Sequence, residues 1–347
     1  MRRPEPAIPV TEELADRLRA LLGADAVLTA ASDIEPFLTD HRRLYHGATR
    51  AVVLPSSTAQ VADVLRLCLA ERISVVPQGG NTSYCGGATP DASGKSIVLA
   101  MRRMNRVRRV DPANFALIAE AGCTLAAVQQ AAHDADRFFP LSLGSEGSCQ
   151  IGGNLATNAG GTAVLRYGMM RDLTLGIEAV LADGSVISQL APLRKDNTGY
   201  DLRNLLVGSE GTLGVITAAC LKLFPAIRAV ATAWIALPAA ANAIALLGFL
   251  RERSADRLSS CELIPAAALQ LVLQHVPDVR DPGAAQSPWY LLVEFSSSAP
   301  DPMDELLESA IAYTLESGQA TDAVIARSEA QRANLWRLRE SVPEAQR

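Results

Sequence analysis

Glycine and small hydroxyl residues are concentrated in one stretch of the chain, from Phe139 to Arg166. Two Gly-Gly pairs and two asparagines lie within it: Gly152-Gly153, Gly160-Gly161, Asn154 and Asn158. Glycine weakens helices and strands, so the stretch is not expected to form an ordinary helix or strand. Backbone without a Cβ can approach a flat or charged ligand closely and turn its N–H groups towards it. The pattern therefore predicts a ligand-binding loop, with a glycine-rich surface loop as the alternative.

Two other stretches have the same character. Residues 75–87, VVPQGGNTSYCGG, run from an apolar strand into a turn with two Gly-Gly pairs. Residues 195–217, KDNTGYDLRNLLVGSEGTLGVIT, carry further glycines. Consecutive N–H groups in such turns form a concave site for phosphate oxygens. No lysine or arginine lies within residues 77–87, so backbone dipoles would have to carry the phosphate binding.

Two common nucleotide-binding patterns are absent from the sequence. No GxGxxG follows a predicted strand, as a nicotinamide-binding Rossmann unit would require. Gly94-Lys95-Ser96 looks like the end of a Walker A motif, but Thr89 stands where the earlier glycine should be. The sequence therefore favours neither a nicotinamide enzyme nor an ATPase.

Taken together, the three glycine stretches resemble the flavin domain of the vanillyl-alcohol-oxidase-type family, in particular its D-2-hydroxyacid dehydrogenase branch. The resemblance is carried by motifs that occur in the family's order: PQGGNT at 77–82, PLSLGSEGSCQIGGNLATNAGG at 140–161, LRYG at 165–168, RKDNTGYDL at 194–202 and GSEGTLGVIT at 208–217. The resemblance implies an α+β fold in which a two-subdomain FAD-binding domain precedes a partial α+β substrate (cap) domain.

The expected division of the chain has three parts. Residues 1–46 would form an N-terminal helical segment, residues 47–226 the FAD-binding domain, and residues 227–347 a cap domain that is incomplete at its C-terminus. Residues 1–10 are expected to be loose, with Thr11 capping a helix that ends at Gly23. Beyond Pro225 strands and helices alternate, which predicts a sheet with helices on one face.

The resemblance implies which residues hold FAD. Relatives with covalently bound flavin often carry histidine in the loop that corresponds to residues 79–83, and Asn81 stands there instead, so non-covalent FAD is expected. The expected cofactor-binding residues come from all three stretches: Pro77, Gln78, Gly79, Gly80, Asn81, Thr82, Ser83, Gly86, Gly87, Pro140, Leu143, Gly144, Ser145, Ser148, Ile151, Gly152, Gly153, Asn154, Thr157, Asn158, Gly160, Gly161, Glu210, Gly214 and Ile216.

The resemblance also implies hydride transfer from a 2-hydroxy acid to the flavin. Arg339, in LWRLRES, corresponds to the family's substrate-facing helix and could hold a substrate carboxylate with two hydrogen bonds. Lys195, Asn197 and Tyr200 are further candidates for the substrate edge of the flavin. A surface arginine on a polar helix is the alternative for Arg339.

The chain departs from the family in its histidines. Relatives continue well past this end and place a histidine-rich metal motif and a Glu-His-Gly motif there, so a divalent metal is expected of the full-length family. The four histidines here are His41, His46, His133 and His275, and none are spaced as a ligand pair. The expectation is that no complete metal site exists in this chain. It would be a truncated gene product, a fragment or a half that needs a partner, and a catalytically incomplete FAD-binding module is the alternative function.

Composition limits the partners. The formal charge of −5 and the pI near 5.5 argue against nucleic acid. Six cysteines without CxxC spacing indicate a reducing compartment, interpreted as the cytoplasm, with attachment to the inner membrane periphery left open. The apolar run from Ala229 to Leu250 is broken by Pro238 and favours a strand and a helix over a membrane span. The expected partners are a small 2-hydroxy acid, an electron-transfer flavoprotein or quinone, and a second copy in a homodimer.

Overall fold

The computed structural model describes residues 12–346, which divide into two compact units. Unit 1 comprises residues 12–139, 145–159 and 169–224, and unit 2 comprises residues 140–144, 160–168 and 225–346. The predictions for residues 1–10 and for the Thr11 cap lie outside the described residues. The three-part division of the chain at residues 46 and 226 stays a prediction.

The helices are numbered in chain order. They are α1 (Glu12–Leu22), α2 (Ala31–Ile34), α3 (Thr58–Ala70), α4 (Leu125–Asp134), α5 (Ile151–Ala156), α6 (Val164–Tyr167), α7 (Leu202–Leu206), α8 (Ala240–Arg253), α9 (Ala266–His275), α10 (Met303–Glu316), α11 (Glu329–Glu340) and α12 (Val342–Ala345). Hydroxyl caps fix several starts, since Ser57 accepts from the N–H of Gln60 and Thr124 from that of Ala127.

The strands are numbered in the same way. They are β1 (Val27–Leu28), β2 (Val52–Val53), β3 (Ser74–Gln78), β4 (Ser96–Ala100), β5 (Val107–Asp111), β6 (Ala116–Glu120), β7 (Arg137–Phe138), β8 (Thr174–Val180), β9 (Val186–Gln189), β10 (Val215–Lys222), β11 (Phe224–Pro225), β12 (Ala229–Leu237), β13 (Leu258–Pro265), β14 (Trp289–Ser297) and β15 (Asp322–Ile325). β12 and α8 occupy the apolar run that the sequence divides at Pro238. No helix within residues 12–346 is long and apolar enough to cross a membrane.

Unit 1 contains two sheets. The first has the order β1-β2-β4-β3, with β4 parallel to both β2 and β3. Parallel strands need a crossover, and α3 supplies it between β2 and β3. Its apolar face, which includes the fully buried Val61 and Val64, packs against the sheet. β3 therefore ends at a fixed point, directly before the glycine loop that begins at Gly79.

The second sheet of unit 1 is antiparallel, with the order β5-β6-β10-β8-β9. The hairpin β8–β9 turns at Asp183-Gly184, where Gly184 has a φ of 79° that favours glycine. The central strand β10 is buried almost throughout and begins within the third glycine stretch, directly after Gly214. This sheet therefore positions the second cofactor loop after β6 and the third before β10.

Unit 2 is one antiparallel sheet with the order β13-β14-β12-β15. Apolar side chains on one face pack with α8 and α10, whereas those on the other face pack with α9 and α11. The prediction of helices on one face is therefore wrong. β12 reads AVATAWIAL and is apolar at successive positions, which fits burial on both faces.

An ion network around a fully buried glutamate lies in unit 1. The side chain of Glu120, at the end of β6, is 0% exposed and is paired with Arg106 at 2.9 Å and Arg108 at 3.2 Å. Arg108 also pairs with Glu178 at 3.0 Å, and Glu178 accepts a hydrogen bond from Thr58. Two arginines of the run at residues 102–109 thus neutralise carboxylates of unit 1.

This network predicts sensitivity to acid. Burial favours protonation of Glu120, but hydrogen bonds from Arg106 and Arg108 outweigh it and hold the pKa of Glu120 below its usual value. The stabilisation is then present above a pH of about 4.3, the ordinary glutamate pKa, and is lost as the pH falls through the lower folded-state pKa. The Glu120→Gln variant should lose about 1–3 kcal/mol of unfolding free energy at pH 7 and show a flatter acid dependence.

Thermal unfolding followed across pH 3–8 measures this effect. The matched control is Glu71→Gln, because Glu71 forms an exposed pair with Arg17 and exposed pairs contribute about 0–1 kcal/mol. Equal effects of the two substitutions would contradict a special role for the buried carboxylate.

Candidate functional site

Parts of all three glycine stretches converge in unit 1. A Cβ on Gly80 would lie 2.0 Å from the carbonyl oxygen of Ser148, so only glycine allows the first stretch to touch the second. The third stretch meets both others. The N–H of Glu210 donates to the carbonyl of Ala156 at 2.9 Å, and a Cβ on Gly211 would lie 3.3 Å from Pro77. The sequence places these stretches far apart, and the two sheets bring them together.

The pair Gly152-Gly153 lies in the short helix α5, so the expectation that no helix forms in this stretch is wrong there. Packing explains why position 152 is glycine. A Cβ on Gly152 would lie 2.8 Å from the Cβ of Ala121, and the N–H of Gly152 donates to the Ala121 carbonyl at 2.7 Å. Glycine is thus needed for the approach of α5 to the end of β6. Gly153, in contrast, faces open space, with no chain atom within 4 Å of a Cβ built there.

The junction of the loops fits a polar ligand. The Oε1 atom of Gln150 and the Oγ atom of Ser209 are buried and make no hydrogen bond with any part of the described chain. Unpaired buried polar atoms are costly unless a ligand or water satisfies them. Gln150 adjoins Gly79 and Ser209 precedes Glu210, so both atoms belong to the predicted cofactor loops. Together with the open face of Gly153, they fit the phosphates and hydroxyls of a dinucleotide such as FAD.

Two predicted cofactor residues brace the first loop. The side-chain amide of Gln78 donates to the carbonyls of Phe37 and Ala88, at 3.0 and 2.7 Å. Asn81 has a φ of 51° and donates from Nδ2 to the carbonyl of Thr39 at 2.8 Å. These contacts hold residues 79–83 in a turn. Gln78 and the Asn81 amide therefore shape the loop.

Other predicted residues are placed differently within unit 1. Ile151 and Ile216 are buried in the core, so only their backbones could serve a ligand. Asn158 has a φ of 46° and accepts from the N–H of Arg171 at 2.9 Å. A pocket of about 190 Å³ opens beside Pro77 and Gly214 and is lined by apolar residues of α3 and β3. Cofactor contacts by individual residues stay predictions.

The remaining predicted cofactor residues belong to unit 2. They are Pro140, Leu143, Gly144, Gly160 and Gly161. A Cβ on Gly161 would lie 2.2 Å from the carbonyl oxygen of Ser142, so residues 140–144 and 160–161 form a close pair that requires glycine. After them, Arg166 of α6 donates to the carbonyl and the hydroxyl of Ser296 on β14.

One face of the unit 2 sheet packs with α9 and α11, and part of that face carries polar side chains. Arg339 of α11 donates from Nε to Oε2 of Glu262 on β13 at 2.8 Å, and its Nη2 lies 2.7 Å from the same oxygen. Both side chains are part-exposed, at 32% and 23%. A guanidinium held in this way can still offer N–H donors to a small carboxylate.

Glu294 on β14 anchors α11 beside this pair. It accepts hydrogen bonds from Trp336 at 2.7 Å, from Arg332 at 3.3 Å and from Thr232 at 2.8 Å. Trp336 and Arg332 stand four residues apart on one face of α11. The helix that carries Arg339 is therefore tied to the sheet by charged hydrogen bonds as well as by apolar packing.

Lys195, Asn197 and Tyr200 lie on an exposed loop of unit 1, between β9 and α7. Tyr200 is 92% exposed. Their assignment to the substrate edge of the flavin stays a prediction. Within residues 12–346, no three His, Cys, Asp or Glu side chains are grouped as a metal site would require.

Sequence reasoning missed Glu262 and Glu294. The signal was present, because each is a single acidic residue within a strand that is otherwise mostly apolar or small, LSSCELIP and WYLLVEFSS. A charge in such a strand requires a partner. Which cation pairs with it depends on strand register and on the docking of α11, and neither follows from the sequence.

Two family profiles match the chain. One, described as FAD binding domain, covers residues 49–189. The other, described as FAD linked oxidases, C-terminal domain, covers residues 227–347. The first match spans the predicted cofactor stretches at 77–87 and 140–161, and the second spans the sheet that carries Arg339. FAD is thus the cofactor that both the family match and the loop geometry fit.

Curated relatives match almost the whole chain. D-2-hydroxyglutarate dehydrogenase, mitochondrial, of Bos taurus is 39% identical over 99% of this chain and 63% of its own length. The Arabidopsis thaliana protein of the same name is 36% identical over 94% of the chain and 58% of its own length. D-2-hydroxyglutarate–pyruvate transhydrogenase of Saccharomyces cerevisiae is 34% identical over 99% of the chain and 69% of its own length. The chain therefore spans roughly three fifths of the length of the first two.

The expected cytoplasmic location is wrong by this comparison, because the relatives from Bos taurus, Arabidopsis thaliana and Rattus norvegicus are named as mitochondrial. The expectation rested on unpaired cysteines. They indicate a reducing environment, which does not distinguish the cytosol from the mitochondrial matrix.

Solved structures share the fold. An alkyldihydroxyacetonephosphate synthase superposes with a TM-score of 0.79 at 20% identity, over 99% of this chain and 66% of its own. A p-cresol methylhydroxylase superposes with a TM-score of 0.72 at 18% identity, over 93% of this chain and 68% of its own. The predicted α+β class and the FAD-binding architecture followed by a cap domain are confirmed. The chain belongs to the vanillyl-alcohol-oxidase-type family of FAD-binding proteins, in its D-2-hydroxyacid dehydrogenase branch.

Proposed function

We propose that the protein catalyses the FAD-dependent oxidation of a D-2-hydroxy acid to the 2-oxo acid, with electrons passed to an acceptor other than oxygen. The observation that carries the proposal is the 34–39% identity, over 99% of the chain, to relatives named for reactions of D-2-hydroxyglutarate. The relative from Schizosaccharomyces pombe is named a putative D-lactate dehydrogenase, so the substrate class is D-2-hydroxy acids.

The chain's residues have separable roles in this proposal. The loops at 79–83 and 148–158 hold the cofactor through backbone N–H groups, because neither loop contains a lysine or an arginine. Arg339 binds the substrate carboxylate and so fixes that end of the substrate. Bound FAD supplies the hydride acceptor. Asn81, which is engaged with Thr39, leaves the flavin non-covalently bound.

Turnover by the FAD-loaded chain tests the proposal. D-2-hydroxyglutarate and D-lactate are supplied with an artificial electron-accepting dye, and dye reduction and oxygen uptake are followed separately. We expect dye reduction with a D substrate, at least tenfold slower reduction with its L enantiomer, and negligible oxygen uptake. Electron-transfer flavoprotein or a quinone in place of the dye then identifies the acceptor. Equal rates with D and L enantiomers, or no reduction by either D acid, would contradict the proposed reaction.

A further inference from the structure

The pair formed by Arg339 and Glu262 has a defined geometry. Nε and Nη2 of Arg339 both lie within 2.8 Å of one oxygen, Oε2 of Glu262. A guanidinium is planar and its five N–H groups point in fixed directions. Contact through one edge therefore fixes both the plane of the group and the direction of the remaining donors.

A second edge of the same guanidinium, formed by Nη1 and Nη2, is available. Nη1 makes no hydrogen bond or ion pair with any residue between 12 and 346, and the side chain is 32% exposed. Nη1 and the second N–H of Nη2 form a fork whose spacing matches a carboxylate. An arginine held only by its aliphatic stem would have to give up its rotational freedom when a substrate binds.

The strand and the helix that carry Glu262 and Arg339 are themselves fixed in position. Glu262 lies on β13 opposite Leu292 of β14, in the middle of the sheet's register. On α11, Leu335 and Leu338 are buried against the sheet, and Trp336 donates to Glu294. Because β13 and α11 are both fixed in this way, the contact between Glu262 and Arg339 also fixes the position of the guanidinium.

We propose that Glu262 is a positioning residue, which orients the Arg339 guanidinium so that its Nη1–Nη2 fork faces the substrate carboxylate. The inference rests on the proposed function, since it assigns to Glu262 the preorganisation of the carboxylate-binding group. Glu262 has a second effect of opposite sign, because its negative charge lowers the attraction of the pair for an anion. The proposal is therefore tested by substitutions that change the orientation of Arg339 and the charge at position 262 independently.

Binding of 2-oxoglutarate to the FAD-loaded chain is the measurement, by calorimetry and by the change in the flavin absorption spectrum. The 2-oxo acid is a product and cannot reduce the flavin. Glu262→Gln keeps an acceptor oxygen and removes the charge, so its affinity should stay within about threefold of the parent or become tighter. Glu262→Ala removes both the acceptor oxygen and the charge. The affinity of this variant for 2-oxoglutarate should fall by about tenfold or more, even though a repulsive charge is lost. Glu308→Gln is the matched control, because Glu308 pairs with Arg327 on the surface of unit 2.

A second readout does not depend on substrate. With ¹⁵N-labelled arginine, the Nε–H signal of Arg339, assigned by its loss in Arg339→Lys, should exchange slowly with solvent in the parent and in Glu262→Gln. It should exchange rapidly in Glu262→Ala. Melting temperatures and flavin content identify variants that fail to fold.

The outcomes are distinguishable. Equal tightening by Glu262→Gln and Glu262→Ala would show that Glu262 only neutralises Arg339, which overturns the inference. Rapid exchange of the Arg339 Nε–H in the parent would overturn it as well. Unchanged 2-oxoglutarate affinity in Arg339→Leu would instead overturn the carboxylate-binding role in the proposed function, whatever the exchange data show.

Discussion

Replacing Gly153 with alanine is expected to lower the affinity of the chain for FAD by about 10- to 100-fold while the chain stays folded. A Cβ at this position meets no chain atom within 4 Å, so it should disturb nothing in the FAD-free protein. Gly153 also lies inside α5, where alanine is favoured over glycine by about 0.5–1 kcal/mol. The FAD-free variant should therefore be at least as stable as the parent. The added methyl group would occupy only the space assigned to the cofactor.

A matched glycine provides the control for this result. Gly248 also lies in a helix, α8, with no chain atom within 4 Å of a Cβ, but it is remote in sequence from the cofactor stretches. Gly248→Ala should raise the melting temperature slightly and leave FAD affinity unchanged. Fluorescence titration with FAD and thermal unfolding without it measure both quantities. Unchanged FAD affinity in Gly153→Ala would place the cofactor elsewhere.

Replacing Arg339 with leucine is expected to reduce kcat/KM for D-2-hydroxyglutarate by about 100-fold or more. The substitution removes the charged fork that holds the substrate carboxylate, and it leaves Glu262 as an unpaired negative charge beside the site. Flavin content should not change, because the predicted cofactor loops do not include α11. Initial rates of dye reduction at substrate concentrations well below KM give kcat/KM directly.

Arg337 supplies the comparison for Arg339. It lies on the same helix, two residues earlier, and donates to the carbonyls of Pro277 and Asp278. Arg337→Leu also removes one positive charge from α11, so it controls for long-range electrostatics. We expect less than a threefold change in kcat/KM. If Arg337→Leu and Arg339→Leu lower kcat/KM equally, charge alone accounts for the effect and Arg339 has no specific role.

The sequence was informative where local chemistry decides the structure. The β8–β9 hairpin follows from Asp183-Gly184, a turn dipeptide between alternating runs, and α4 begins after Thr124 because a threonine hydroxyl caps its first turn. The alternation of strands and helices beyond Pro225 follows from periodicity in the same way. The family motifs predict cofactor loops at positions where the backbone requires glycine, such as Gly80 and Gly161.

Tertiary packing decided the features that the sequence missed. Position 152 must be glycine because Ala121 leaves no room for a Cβ beside α5, and that contact joins residues from two separate stretches. The helices of unit 2 cover both faces of the sheet because β12 is apolar on both sides. The partners of Glu262 and Glu294 depend on how α11 docks. None of these distances can be read from spacing along the chain.

The absorption spectrum of the purified chain with one equivalent of FAD, before and after denaturation and filtration, tests the central claim most directly. The claim is that the glycine stretches of unit 1 bind FAD non-covalently. The predicted result is a shifted flavin spectrum that stays with the folded chain and passes the filter entirely after denaturation. A folded chain that takes up no FAD would contradict the assignment of the loops, and flavin that remains attached after denaturation would contradict non-covalent binding.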